Sequence, residues 1–410
     1  MASVIPFEGP SYLKPRQLIG KGSFGMIYEA LDTRTNTLVA IKVEPKQTQF
    51  PQLENEYKIY KCLVNAPFIC TTGIDVASSS SSSSSKKKYL YVPIPQVYEF
   101  NNTYDNFTIM TMQLLGQDLE ELLGIMNRVL QYDTIAVLAI QCISAIQYIH
   151  EKGFVHRDIK PDNFVIGSLS GKEKDRQRVF LIDYGLTQPF TQEESSSSSS
   201  SNNNNKNKNN HKPCQQKNIS IVGTPRYASL NTHYGIEYSR RDDLISLGYV
   251  LVYLSKGKLP WQGQGKINRK MQTKKETKKN NHNNSGDEED EEEEQEEQEQ
   301  ENKDERFYEY DKYYKIAQMK ESIDITDLCA GTHPGLIPYL QICHDITFSQ
   351  QPPYEKLKEI FSSSVNLNAH RSYEWDPIFK SMEGNYIPKA ALFAGKNNNK
   401  NHVEHINLIV

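Results

Sequence analysis

The sequence predicts an α+β fold in which strands gather near the N-terminus and helices follow, with low-complexity insertions between them. Three observations carry that reading. Residues 16–43 alternate in the manner of strands, with a turn at Thr33 to Thr37 between two runs. From Asp133 to Glu151 the apolar residues Ile135, Leu138, Ala139, Cys142, Ile143, Ile146 and Ile149 recur every three or four positions, the period of a helix face. The segment opened by Arg240 to Asp243 stays apolar to Leu254, as suits a helix in the middle of a large domain.

Length and charge bound the rest. The chain has 410 residues, enough for two or three average domains or for one large domain with insertions. Its formal net charge of −4 provides no global basic field, so no nucleic-acid partner is expected. Met1 to Pro10 lacks a charged region followed by an apolar run, and eighteen consecutive apolar residues occur nowhere, so the expectation is a soluble intracellular protein without a membrane partner. Six cysteines, at 62, 70, 142, 214, 329 and 343, show no paired CxxC spacing and read as reduced thiols, most of them in the core.

Taken in order, the first element is a glycine-rich hairpin. Gly20 Lys21 Gly22 Ser23 Phe24 Gly25 sits between strand-like runs. Such a pattern opening a helix would suggest a dinucleotide site, but here Met26 to Ala30 continues as a strand. The hairpin reading lets backbone N–H groups approach a phosphate closely. The run Val39 Ala40 Ile41 then delivers Lys42, a cation that needs a counter-charge, and the helix expected over Gln52–Leu63 offers Glu54 and Glu56. Strand-like Phe107 to Met112 leads into Gln113 Leu114 Leu115 Gly116, which could join two lobes and supply backbone hydrogen bonds to an adenine. Asp133 is expected to cap the long helix that follows, and Gly153 to close it.

That helix delivers His156 Arg157 Asp158 Ile159 Lys160 Pro161 Asp162 Asn163. Asp158, Lys160 and Asn163 put a proton acceptor, a cation and a metal-binding amide on one short loop, a trio suited to phosphoryl transfer. Two strands, Phe164 to Ile166 and Val179 to Ile182, then lead to Asp183 Tyr184 Gly185, where a carboxylate just past a buried strand is well placed to take a metal. Serine-, asparagine- and charge-rich runs mark disordered insertions at about 77–88, 191–217 and 264–306. The folded domain is expected over 14–380, between an N-terminal tail, 1–13, and a C-terminal tail, 381–410.

With Gly20, Gly22, Gly25, Lys42, Asp158, Lys160, Asn163 and Asp183 in this order, the chain resembles the eukaryotic protein kinases. Pro51 Gln52 Leu53, Arg226 to His233, Ser239 to Leu244 and Leu259 to Gly263 make residues 14 to about 380 similar to the casein kinase 1 family of serine/threonine kinases. The most discriminating stretch is Ser229 Leu230 Asn231, where most kinases carry Ala-Pro-Glu. The resemblance implies a bilobal kinase fold, a small β-rich N-lobe over about 14–112 and a larger, mainly helical C-lobe over about 116–380, with ATP and Mg²⁺ between them. It implies that Glu56 pairs with Lys42, that Asp158 accepts the substrate hydroxyl's proton, and that Lys160 steadies the transferring phosphate. Asn163 and Asp183 would hold Mg²⁺. Ile19, Gly20, Lys21, Gly22, Ser23, Phe24, Gly25, Ile27, Ala40, Lys42, Met112 and Leu115 would line the ATP site. Asp243 would brace the catalytic loop, and Arg226 with Lys312 would form a pocket for acidic or phosphorylated residues upstream of the target Ser/Thr. A salt bridge within the domain is the plain structural role for Arg226. Thr187 Gln188 Pro189 stand where the family carries lysine.

The expected function is therefore ATP-dependent phosphorylation of protein Ser/Thr hydroxyls by a monomer resident in the cytoplasm, the nucleus or both. The competing reading is a pseudokinase or scaffold that binds partners through its insertions, which loss of a catalytic residue would have favoured. None is lost.

Overall fold

Five antiparallel strands, β1 (Leu13–Gly22), β2 (Gly25–Asp32), β3 (Thr37–Pro45), β4 (Val97–Asn101) and β5 (Phe107–Gln113), form one sheet in the order β1-β2-β3-β5-β4. The structure, a computed structural model, describes residues 9–22, 25–64, 92–168, 176–191, 211–214, 221–263, 312–364 and 373–381. The insertions expected at 77–88 and 264–306, and most of that at 191–217, lie outside these residues.

Strand alternation gives the sheet two faces. Val39, Ile41 and Val43 of β3 join Leu13, Tyr28, Ala30 and Ile109 in a small cluster on one side. Ala40, with Met110 and Met112 of β5, belongs to the main core on the other. Helix α1 (Leu53–Val64) packs on that second side, burying Leu53, Glu56, Ile59, Tyr60 and Leu63. At the β1–β2 turn, Gly25 adopts φ +156°, and a Cβ there would stand 2.2 Å from Val43 O, so a side chain is excluded.

The C-lobe is built on α3 (Tyr132–Glu151), which is buried along nearly all its length. By length and composition it could cross a membrane, but 83% of its apolar window is covered by the rest of the domain. It packs against α5 (Arg240–Lys256) and α9 (Tyr354–Ser362). The short α2 (Leu119–Ile125) precedes α3 and α4 (Leu230–His233) precedes α5, with α6 (312–322), α7 (Ile325–Leu328) and α8 (Leu336–Asp345) between α5 and α9, and α10 (Asp376–Ser381) last. Two small ladders complete the lobe, β6 (Phe154–Val155) with β9 (Gln188–Pro189) and β7 (Phe164–Ile166) with β8 (Val179–Leu181).

Two expectations need correction. Asp133 does not cap α3. The N-cap is Gln131, whose side chain makes no cap bond, and its backbone N–H donates instead to Glu374 Oε1 at 2.9 Å. Asp133 lies in the first turn, where its charge still complements the helix dipole. The insertion placed at 191–217 is also too wide. Thr191 bridges His211, Lys212 N donates to Phe190 O at 2.8 Å, and the His211 ring packs against Phe190 and Phe348. His211 and Lys212 are thus held by aromatic contact and main-chain pairing that a reading of composition does not register. Of the five cysteines described, all are free thiols; 142, 329 and 343 are buried and 62 and 214 exposed.

Candidate active site

The site's first half grows from the alternation of β3. Ala40, Lys42 and Glu44 fall on one face, toward α1. Lys42 Nζ lies 2.6 Å from Glu56 Oε2 and 3.1 Å from Asp183 Oδ1. Glu54, by contrast, makes an exposed pair with Lys58 one helical turn on. Burial would lower the Lys42 ammonium, but Asp183 and Glu56 outweigh it and hold it above its ordinary value. Two carboxylates share that one cation, and they titrate apart. Burial would raise Asp183, yet Lys42 and Lys160 pull it down to about 2. Glu56 is pushed up to about 7, by burial first, against the pull of Lys42.

The second half is the loop after α3. Lys160 Nζ sits 2.6 Å from Asp158 Oδ2, while Asn163 Nδ2 donates to Asp158 O at 2.8 Å. Thr224 donates to the other Asp158 oxygen twice, through its N–H at 3.0 Å and its hydroxyl at 2.8 Å. The loop's backbone is strained, with Arg157 at φ +73° and Asp183 beyond it at φ +67°. Asp243, at the start of α5, holds it there. One Asp243 oxygen accepts His156 N at 2.8 Å, and the other accepts Arg157 N at 3.0 Å and Tyr238 OH at 2.8 Å. Burial keeps His150 neutral, so its Nε2–H donates to Asp243 at 2.8 Å while Nδ1 accepts from Tyr354 OH. Across the site, Ile182 N donates to Asn163 O at 3.0 Å, extending the β7–β8 ladder and bringing Asn163 and Asp183 to the same end of it.

Ile19, Ile27, Ala40 and Met112 all pack in or against the main core, and Ala40 lies opposite Met112 in the sheet. Gly20 pairs with Ile27, Lys21 with Met26 and Gly22 with Gly25 in the hairpin. Leu115 is half-buried in the linker, beside Gly116, whose N–H donates to Ile166 O at 2.8 Å. Ser23 and Phe24 lie outside the described residues. Arg226 sits with its guanidinium near the rings of Tyr227 and Tyr253, at 5.8 and 5.9 Å from their centroids, and Lys312 stands at the described start of α6. Ser229 and Asn231 both donate to Asp242 Oδ1, at 2.6 and 3.1 Å.

Sequence reasoning missed Thr224, Tyr238, His150, Asp242 and Glu44. Glu44 is buried and its carboxylate accepts Gln52 N at 2.8 Å and Leu53 N at 3.1 Å, capping α1. Its place on the Lys42 face of β3 was the available signal.

A glycine hairpin over a paired lysine, facing an Asp-Lys-Asn loop and an Asp-Tyr-Gly turn across two lobes, defines the protein kinases. The protein kinase domain family matches residues 13–310, and the chain belongs to it. It is 32% identical over 360 residues to casein kinase I homolog 2 of Schizosaccharomyces pombe, across 87% of this chain. With the sequence motifs above, that makes it similar to the casein kinase 1 family within the protein kinases. The chain spans 64% of that relative's length.

Proposed function

We propose that the protein is a serine/threonine kinase of casein kinase 1 type, which transfers the γ-phosphate of ATP to Ser/Thr hydroxyls of protein substrates. The observation that carries this reading is the Asp158 carboxylate, held at 2.6 Å from Lys160 on one oxygen and by Thr224 on the other. In that reading Asp158 orients the substrate hydroxyl and takes its proton, Lys160 stabilises charge on the transferring phosphate, and Lys42, aimed by Glu56, binds the α- and β-phosphates. Ile19, Ile27, Ala40 and Met112 enclose the adenine, with Leu115 offering backbone contacts.

The residues present suit Mg²⁺, which supplies charge neutralisation on the phosphates when bound. Asn163 commits its amide nitrogen to Asp158, which leaves Oδ1 as the oxygen it can offer. Asp183 is ionised, and its Oδ1 accepts Lys42 while Oδ2 remains for a cation. Oxygen donors, one of them anionic, are what a hard cation takes.

The preference for acidic or phosphorylated residues upstream of the target is also part of the proposal. Arg226, and Lys312 with it, supply the positive charge. The test is transfer from ATP and Mg²⁺ to matched peptides with and without an acid or phosphoserine three residues before the target serine. Transfer to neither peptide by pure, folded protein would rule the reading out.

A further inference from the structure

Three backbone carbonyls around Arg226 are held from beneath by two side chains. Lys320 Nζ donates to Pro225 O at 2.8 Å and to Ala228 O at 2.6 Å, with His233 Nε2 at 3.1 Å. Trp261 Nε1 donates to Arg226 O at 2.8 Å. Two of the amine's N–H groups go to carbonyls, and the His233 ring nitrogen completes its set of partners. Lys320 is buried, and its Nζ lies 5.2 Å from the centroid of the Tyr249 ring and 5.1 Å from that of Trp261. Its surroundings are therefore carbonyls, an imidazole and two π faces. Burial drags the amine well below the ordinary lysine range. A methionine would fill the same space without that desolvation penalty, so the amine's value lies in the carbonyls it holds.

Those carbonyls belong to a segment already fastened at both ends. Thr224 clasps Asp158, and Ser229 donates to Asp242 at 2.6 Å. Between these points the chain turns, with Tyr227 N and Ala228 N both donating to Thr224 O. Without Lys320 and Trp261 the middle of the turn would lose all three of the side-chain donors that grip its carbonyls.

We propose that Lys320, together with Trp261, is a positioning residue for substrate selection. It fixes the backbone of 225–228, so that Arg226 is presented in one place to the acidic or phosphorylated side chain of a protein substrate. This rests on the kinase reading and extends it to residues that act through Arg226 without touching substrate.

The test uses the full chain with Lys320→Met, which keeps the bulk and removes the donors, and Trp261→Phe, which keeps an aromatic ring and removes one donor. Hydrogen exchange of peptides covering 221–231 and steady-state kinetics with the matched acidic and neutral peptides are measured for each. Both variants are expected to exchange faster at 225–229. KM for the acidic peptide rises roughly tenfold in Lys320→Met, the worth of one or two hydrogen bonds, and less in Trp261→Phe. KM for ATP and for the neutral peptide stays near wild type. If Lys320→Met fails to fold, Trp261→Phe decides the matter alone. Unchanged exchange overturns the anchoring. Faster exchange with unchanged selectivity between the peptides overturns the role in recognition. Failure of the wild type to phosphorylate either peptide counts against the kinase reading, and exchange rates then decide the anchoring by themselves.

Discussion

Lys42 and Glu44 stand two residues apart on β3 and grip the same helix at different heights. The ammonium meets Glu56 at 2.6 Å in the body of α1, and the carboxylate accepts Gln52 N and Leu53 N at its start. One strand face thus sets both the rotation and the axial position of α1. Glu44→Ala is expected to lower stability by about 1–2 kcal/mol through loss of the cap, and to weaken ATP binding because Glu56 shifts with the helix. Thermal melting and KM for ATP check the two effects. A destabilised variant with unchanged KM would separate the cap from the site.

Asp158→Asn and Lys42→Met are each expected to reduce phosphoryl transfer by at least about a hundredfold, the usual scale of general-base and electrostatic contributions. Circular dichroism is expected to show an intact fold. Turnover near wild type in purified Asp158→Asn would refute the assigned chemistry.

The Glu56 carboxyl carries a pH signature. Its value in the fold, about 7, lies above its ordinary 4.5, so the folded chain holds a proton that the unfolded chain releases. The stabilising contribution is complete below about pH 4.5 and is lost as pH rises through about 7. Urea unfolding from pH 5 to 8 is expected to show wild type losing stability relative to Glu56→Gln across that window. A constant difference between the two would contradict the shared-cation arrangement.

Thr224→Val removes the hydroxyl bond to Asp158 and keeps the backbone one. A hydrogen bond to a charged group is worth roughly 1.5–3 kcal/mol, so kcat is expected to fall about tenfold or more, with KM for ATP unchanged. Thr224→Ser is expected to recover most of the loss. Equal kcat in Thr224→Val and wild type would show that the bond does not orient Asp158.

Much of the fold was legible because its determinants are local. The periodicity that marks α3 and the apolar run that marks α5 are properties of neighbouring residues, as are the two strands that end at Asp183. The Asp158, Lys160 and Asn163 trio was visible for the same reason, since it lies within one eight-residue run. What stayed hidden depends on distance along the chain. Thr224 looks like any loop threonine until it meets Asp158, 66 residues earlier. Gln131 replaces Asp133 as cap because Glu374 arrives from 243 residues away. Lys320 carries no mark in its own stretch of sequence. Only the assembled C-lobe shows that it is buried beneath the Arg226 segment.

The hold of Asp243 on the catalytic loop also has a meaning in time. The left-handed backbone at Arg157 is unfavourable for a residue with a side chain, by about 1–2 kcal/mol, and the one local bond across it, Asp158 N to His156 Nδ1, is long at 3.3 Å. The groups that stabilise it sit on a helix 86 residues further along. Contacts of such long range form late, after the chain between them has been gathered in. The catalytic loop is thus a product of completed folding. Trp261, one of the chain's two tryptophans, is buried and bonds to Arg226 O only 35 residues away, so in a Trp375→Phe chain its fluorescence should change during refolding before phosphoryl transfer returns. A partly folded chain would be a protein with its core in place and its chemistry still absent.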